Sequence, residues 1–199
     1  MQNKHFVLAS GNAGKVAEFN HLFSAQQVRV TAQTELKVSS VPETGTTFIE
    51  NAIIKARHAS AQTGLPAIAD DSGLVVDALQ GAPGIYSSRY AGAEASDSDN
   101  IDKLLAALRE QTNRRAHFYC CLVFMRHADD PVPLISEGLW HGEIAQQRAG
   151  QSGFGYDPVF FFPALGCTAA ELSKDQKSAI SHRAKALEIL LPQVNDYFA

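Results

Sequence analysis

Long apolar runs, a cysteine framework and an excess of positive charge are all missing from this chain of 199 residues. No stretch approaches the roughly 20 apolar residues that a membrane span needs. The first apolar segment, Phe6 to Ala9, is too short for the core of a secretion signal. No membrane partner is therefore expected. The three cysteines, Cys120, Cys121 and Cys167, form neither a CxxC pair nor an even set. They read as reduced thiols in a cytoplasmic protein, the first two as small core residues in an apolar run. A net charge of −4 and a pI near 5.9 exclude duplex nucleic acid and anionic membrane surfaces as natural partners. A small anion held by a few local cations stays open. None of the seven histidines has HExxH spacing, and no GxSxG elbow is present, so zinc hydrolase and serine-nucleophile chemistry are unsupported. Repeats, low-complexity tracts and linkers are also absent.

What is present is ordinary globular composition, 45% hydrophobic and 19% charged. That is enough for a single domain over 1–199, or for two tightly fused lobes. A chain of this length buries roughly 70% of its unfolded surface and needs no metal to hold a core. Periodicity places strands at "HFVLAS", "VRVTAQ", "LPAIA", "AHFYCCLVFMRH" and "LISEGLWHGEI", with helices among them. One helix opens near Lys15. A second runs from about Phe48 to Gln62, with Thr47 and Glu50 at capping-box spacing and Gly64 at its end. Ser96 or Ser98 caps a third. "TAAELSKDQKSAISHRAKALEILL" gives one or two more, with Ile180, Ala184, Leu187 and Leu191 facing the core. Alternating βα units followed by a long hairpin indicate an α/β fold with a mixed twisted sheet flanked by helices.

Four stretches could carry chemistry. "SGNAGK", Ser10 to Lys15, is a Gly-rich turn between a strand and a helix, suited to phosphate. It is not a Walker A loop, and alone it is equally a plain βα turn. "ADDSG" ends an apolar run in adjacent aspartates, Asp70 and Asp71, which point to opposite sides of an extended strand. One could hold a divalent cation with Glu43 or Glu50, or the pair could be a hydrogen-bonded turn. In "SGFGYD", Phe154 or Tyr156 could stack on a base and Asp157 could accept from a ring N–H, or the aromatics could simply close the core. "KSAISHR" sets Lys177, His182 and Arg183 on a helix. Lys177 and Arg183 are too far around it to meet one ligand unless the helix breaks, and a solvated face is the alternative.

In this order, with "ETGTTFIENAIIKA" between the first two, these stretches resemble the inosine/xanthosine triphosphate pyrophosphatase family, and the resemblance spans essentially the whole chain. It implies a long mixed sheet with two lobes around a central cleft, a homodimer, and Mg²⁺-dependent hydrolysis of ITP, dITP and XTP to the monophosphate and pyrophosphate. Carried over by position, it implies that Ser10, Gly11, Asn12 and Lys15 hold phosphates, that Lys55 lies near them, and that Ser72 contacts substrate. It further implies that Glu43 and Asp71 bind magnesium, with Asp71 the general base. Phe154, Gly155, Tyr156, Asp157, Lys177, His182 and Arg183 would frame the purine. Tyr156 stands where some members carry Trp, and Ser178 where many carry Asn. A Maf-like pyrophosphatase acting on other nucleotides is the nearest rival, but "SGNAGK" does not match its opening SxSxxR-like loop. A nucleotide-binding module without catalysis would not need Glu43, Lys55 and Asp71 together.

Overall fold

The computed structural model describes residues 4–23 and 28–198. Its seven strands form one mixed sheet in the order β2-β1-β3-β4-β5-β6-β7, with β1 His5–Leu8, β2 Arg29–Ala32, β3 Ala67–Val76, β4 Arg115–Met125, β5 Leu134–Ile144, β6 Phe160–Phe162 and β7 Cys167–Thr168. β1 runs parallel to β2 and β3, while β6 is antiparallel to β5 and β7. The short connection over 126–133 fits an antiparallel β4–β5 hairpin, because a parallel crossover takes a dozen residues or more. The helices are α1 Ala13–Phe23, α2 Phe48–Thr63, α3 Asp97–Ala107, α4 Lys174–Ile180 and α5 His182–Tyr197.

The expected punctuation holds where local chemistry dictates it. Thr47 and Glu50 form the capping box of α2, and Gly64 closes it in the left-handed conformation, which only glycine adopts without strain. Ser96, rather than Ser98, caps α3 together with Asp99.

Two readings are revised, the turn at the adjacent aspartates and part of the core face of the last helix. "DDSG" is no turn: β3 continues through Asp70, Asp71, Ser72 and Gly73 to Val76. The loop after it contains two short 3₁₀ helices, Asp77–Leu79 and Gly84–Arg89. The core face of α5 is Arg183, Ala186, Leu187, Leu190 and Val194, with Ala184 and Leu191 only half-buried.

The chain divides into two compact units. Unit 1 comprises Met1–Asp71, Cys120–Gly138 and Arg183–Ala199, and unit 2 comprises Ser72–Tyr119 and Leu139–His182. The unit 1 core joins Phe6, Phe19, Phe23, Ile68, Leu122, Phe124 and Leu190, with Phe6 edge-on to Phe23 and Phe124 at 5.5 and 5.7 Å. Such aromatic pairs contribute about 0.5–1.5 kcal/mol beyond the area they bury. The unit 2 core joins Leu74, Leu104, Phe118, Trp140, Tyr156 and Phe160. Cys120 and Cys121 are fully buried, as expected.

Candidate active site

In unit 1, β1 delivers the chain to Ser10, whose Oγ accepts the Asn12 N–H, and Asn12 Oδ1 in turn accepts the Lys15 N–H. This short polar ladder sets the first turn of α1 and leaves Lys15 directed toward β3. The Lys15 ammonium pairs with Asp70 Oδ1. Asp70 Oδ2 accepts from Arg183 Nε at 2.7 Å and from the Cys120 thiol at 3.3 Å. Arg183 Nη1 also pairs with Glu18. Arg183 is only 2% exposed and Asp70 only 1%, so both charges depend on these partners. Burial pushes the Asp70 carboxyl up, but Arg183 and Lys15 outweigh it and hold the group well below the usual carboxylate range.

The next residue takes a different cation. Lys55 Nζ lies 2.6 Å from Asp71 Oδ1 and 3.2 Å from Glu43 Oε1. Two carboxylates from separate segments thus converge on one ammonium. Burial raises the Asp71 carboxyl above its ordinary value, with Lys55 opposing. Burial would lower Lys55, but Asp71 and Glu43 lift it overall. Two carboxylates side by side suit Mg²⁺, which keeps several waters and takes its remaining ligands from phosphate oxygens. Among the described residues no group of three or more His, Cys, Asp or Glu side chains is gathered as a metal cage. At such a site waters and phosphate oxygens would supply the remaining ligands.

Glu50, the other acid considered for the cation, is committed elsewhere. Its Oε2 accepts from the N–H and hydroxyl of both Thr46 and Thr47. Asn51, in the first turn of α2, is fully buried. Its Oδ1 accepts the Gly45 N–H at 2.9 Å, while its Nδ2 is buried without a partner among the described residues. A buried orphan donor costs about 1–3 kcal/mol.

In unit 2 the "SGFGYD" segment folds around Asp157. Asp157 Oδ2 accepts from the Phe154 N–H at 3.0 Å and from Lys177 Nζ at 2.6 Å. Lys177 Nζ also sits 5.0 Å from the Phe154 ring centre, a cation–π approach. Gly153 adopts φ +82°, and a Cβ there would run into the Asp157 carboxylate, so glycine is required on both counts. Asp97 Oδ2 accepts the Gly155 N–H at 2.7 Å. Tyr156 is only 4% exposed, joins the unit 2 core and donates its hydroxyl to Ser87 O. Of the two aromatics offered for stacking, Tyr156 closes the core and Phe154 remains half-buried. His182 stacks on Phe118 at 4.9 Å and 15°. Ser72, half-buried, follows Asp71 on β3.

The structure therefore separates the candidates into two groups. Unit 1 brings together Lys15, Glu43, Lys55, Asp70, Asp71 and Arg183; unit 2 brings together Phe154, Asp157 and Lys177. The helix carrying "KSAISHR" does break, at Ser181 in extended backbone (φ −66°, ψ 157°). Lys177 thereby stands in the last turn of α4, and Arg183 in the first turn of α5. Sequence reasoning missed Glu18, Cys120, Asn51 and Asp97. Glu18, three residues beyond Lys15 on α1, carried a usable signal in its spacing. Cys120, Asn51 and Asp97 carried none.

The sequence model of the Ham1 family matches residues 6–193. The chain is 61% identical over 192 residues to a dITP/XTP pyrophosphatase of Yersinia pseudotuberculosis, covering 96% of this chain and 98% of that one. It is 64% identical over 187 residues to one of Erwinia tasmaniensis, covering 93% and 91%. Among solved structures, a HAM1 protein from Coxiella burnetii superposes with a TM-score of 0.89 at 50% identity, covering 96% of this chain and 98% of that one. The nucleoside-triphosphatase / dITP/XTP pyrophosphatase of Mycobacterium abscessus gives 0.74 at 41% identity, covering 94% and 99%. With the motifs in order, the mixed sheet in place and matches of this extent, the chain belongs to the Ham1 family.

Proposed function

We propose that this protein is an enzyme hydrolysing non-standard purine nucleoside triphosphates (ITP, dITP, XTP) to the monophosphate and pyrophosphate, with Mg²⁺ as cofactor. The observation that carries this is the convergence of Glu43 and Asp71 on Lys55, beside a helix start that presents Lys15. The names of its relatives give the substrate class.

The polyphosphate lies at Ser10, Gly11, Asn12 and Lys15, where a helix N-terminus and an ammonium favour anions. Lys55 and Ser72 flank it. Glu43 and Asp71 would hold Mg²⁺, which when bound would neutralise phosphate charge and polarise the scissile phosphoryl group. Asp71 takes a proton from a water whose oxygen bonds to the α-phosphorus. The bond from that phosphorus to the α–β bridging oxygen breaks, and pyrophosphate leaves with the electron pair. Lys15 and Lys55 offset the charge that develops as it does so.

The purine is proposed to rest against Phe154, with Gly155, Asp157, Lys177 and His182 contributing from unit 2. Tyr156 supports that segment from beneath rather than stacking on the base. Selection for the 6-oxo oxygen of hypoxanthine or xanthine is proposed to fall to a donor-only group, the role that the sequence resemblance gives Arg183. An adenine 6-amino group would meet it donor to donor, and a mismatch of that kind costs roughly 10⁴-fold in selectivity. A homodimer in the cytoplasm is the assembly and location proposed; sedimentation checks the first.

A nucleotide panel assayed with and without Mg²⁺ tests this reading, with product scored as pyrophosphate or orthophosphate. ITP, dITP and XTP should yield pyrophosphate far faster than ATP. Asp71→Asn should lower kcat by about 10²–10⁴-fold, the range for losing a general base, with an unchanged circular dichroism spectrum. Near-normal turnover in that variant, or equal kcat/KM for ATP and ITP, would remove Asp71 or the selection scheme respectively.

A further inference from the structure

The carboxylate of Glu43 rides on a loop with no strand or helix of its own, over residues 38–47. Side chains of α2 grip that loop at both ends. At the near end, the Ser39 N–H bonds Gln62 Oε1 at 3.2 Å, and the Ser39 carbonyl meets His58 Nε2 at 2.9 Å. At the far end, Thr46 and Thr47 are tied to Glu50, and the Gly45 N–H is tied to Asn51.

The Asn51 contact differs from the others in that Asn51 is fully buried and its bond to Gly45 partly so, whereas the other contacts are exposed. Its amide orientation follows from its partner, since only the oxygen can accept the Gly45 N–H. The cost is a nitrogen buried without a partner. What the side chain supplies there at that cost is its acceptor. The neutral amide also supplies that acceptor without adding a third carboxylate. Asn51 lies one helical turn before Lys55 and so on the same face of α2, the face where Lys55 meets Glu43 and Asp71. Gly45 presses onto the same turn. A Cβ there would lie 2.5 Å from Glu50 Cβ and 2.7 Å from Asn51 Oδ1.

We propose that Asn51 is a positioning residue for Glu43: it pins Gly45 to the first turn of α2 and thereby holds the metal-binding carboxylate opposite Asp71. This rests on the proposed metal-dependent function. The geometry assigns Asn51 no contact with substrate; it acts through the loop.

The test is titration of the nucleotide-free protein with Mn²⁺, read by the electron paramagnetic resonance signal of the free ion, with the Mg²⁺ dependence of ITP hydrolysis run in parallel. Asn51→Ala should raise the Mn²⁺ Kd about tenfold, as loss of an outer-sphere support typically does, with kcat at saturating Mg²⁺ within about threefold of the parent. Asn51→Asp, which still accepts the Gly45 N–H, should bind within about threefold of the parent or tighter. Gly45→Ala, whose added Cβ would run into Glu50 and Asn51 and so push the loop away while every α2 side chain stays as it is, should weaken binding like Asn51→Ala and serves if that variant does not fold. Parental Mn²⁺ affinity in both Asn51→Ala and Gly45→Ala overturns the inference, as does Asn51→Asp binding as weakly as Asn51→Ala. A parent protein that binds no Mn²⁺ and hydrolyses ITP fully in chelator overturns the metal-dependent function itself, a result distinct from variants that merely match a metal-binding parent.

Discussion

Adjacent aspartates inside a buried strand are tolerable here because each has its own cation. Extended backbone sends Asp70 toward Lys15 and Arg183 and Asp71 toward Lys55. The sequence showed that the pair needed compensation, and alternation along a strand showed that the two side chains would part. It could not show which lysine or arginine would answer which aspartate. Arg183 lies far along the chain from Asp70, and no local rule links them. Lys55 sits on the Asp71 side, where the resemblance implied magnesium. Removing the Asp70 charge should therefore be costly. Asp70→Asn keeps the shape but leaves a buried guanidinium and a lysine short of a partner, a break that costs about 3–5 kcal/mol. For a chain of this size that corresponds to a fall in Tm of roughly 10 °C. Calorimetric unfolding checks it; a Tm within a degree or two of the parent would mean that Glu18 alone suffices for Arg183.

Elements were legible where caps and periods agree and illegible where the sheet overrides them. The α2 box of Thr47 and Glu50 could be read directly. The "DDSG" stretch could not, because Asp, Ser and Gly favour turns, yet the ladder and the paired cations keep β3 extended. The outer faces of β4 and β5 carry a pair that also escaped notice: the His117 and His141 rings lie 5.3 Å apart. Burial lowers the His117 pKa, His141 lowers it further, and Asp77 opposes them. A histidine whose folded pKa is depressed takes up protons more readily when unfolded. Stability is therefore unaffected well above the unfolded value near 6.5 and declines as pH falls through it toward the folded value. His117→Gln should flatten that decline, seen as a smaller Tm difference between pH 7.5 and pH 5.5. An unchanged difference would show that other groups set the acid limb.

At the scale of the whole molecule, charge decides what the substrate must bring. The protein is acidic overall, at −4. Its unit 1 cluster sets the cations Lys15, Lys55 and Arg183 against the carboxylates Glu18, Glu43, Asp70 and Asp71. Locally the carboxylates outnumber the cations by one, so the cluster offers no net positive charge to a triphosphate of about four negative charges, and the lysines act on it only beside a further cation. The same composition that excluded duplex nucleic acid from the outset thus demands a cation for the smaller anion. The sequence carried that demand in its totals, while the cancellation inside the site became visible only once each partner was placed. One unscreened like-charge contact at about 4 Å costs roughly 4 kcal/mol at an effective dielectric near 20, close to three decades in affinity or rate. Chelating all divalent ions should therefore lower kcat/KM for ITP by about 10³-fold, with full recovery on adding Mg²⁺ and none on adding potassium to equal ionic strength. If potassium restored activity, bulk screening would suffice and the carboxylate pair at Glu43 and Asp71 would not be an ion-holding device. If only a divalent ion restores it, the acidic cluster is incomplete without that ion, and the excess carboxylate is the reason.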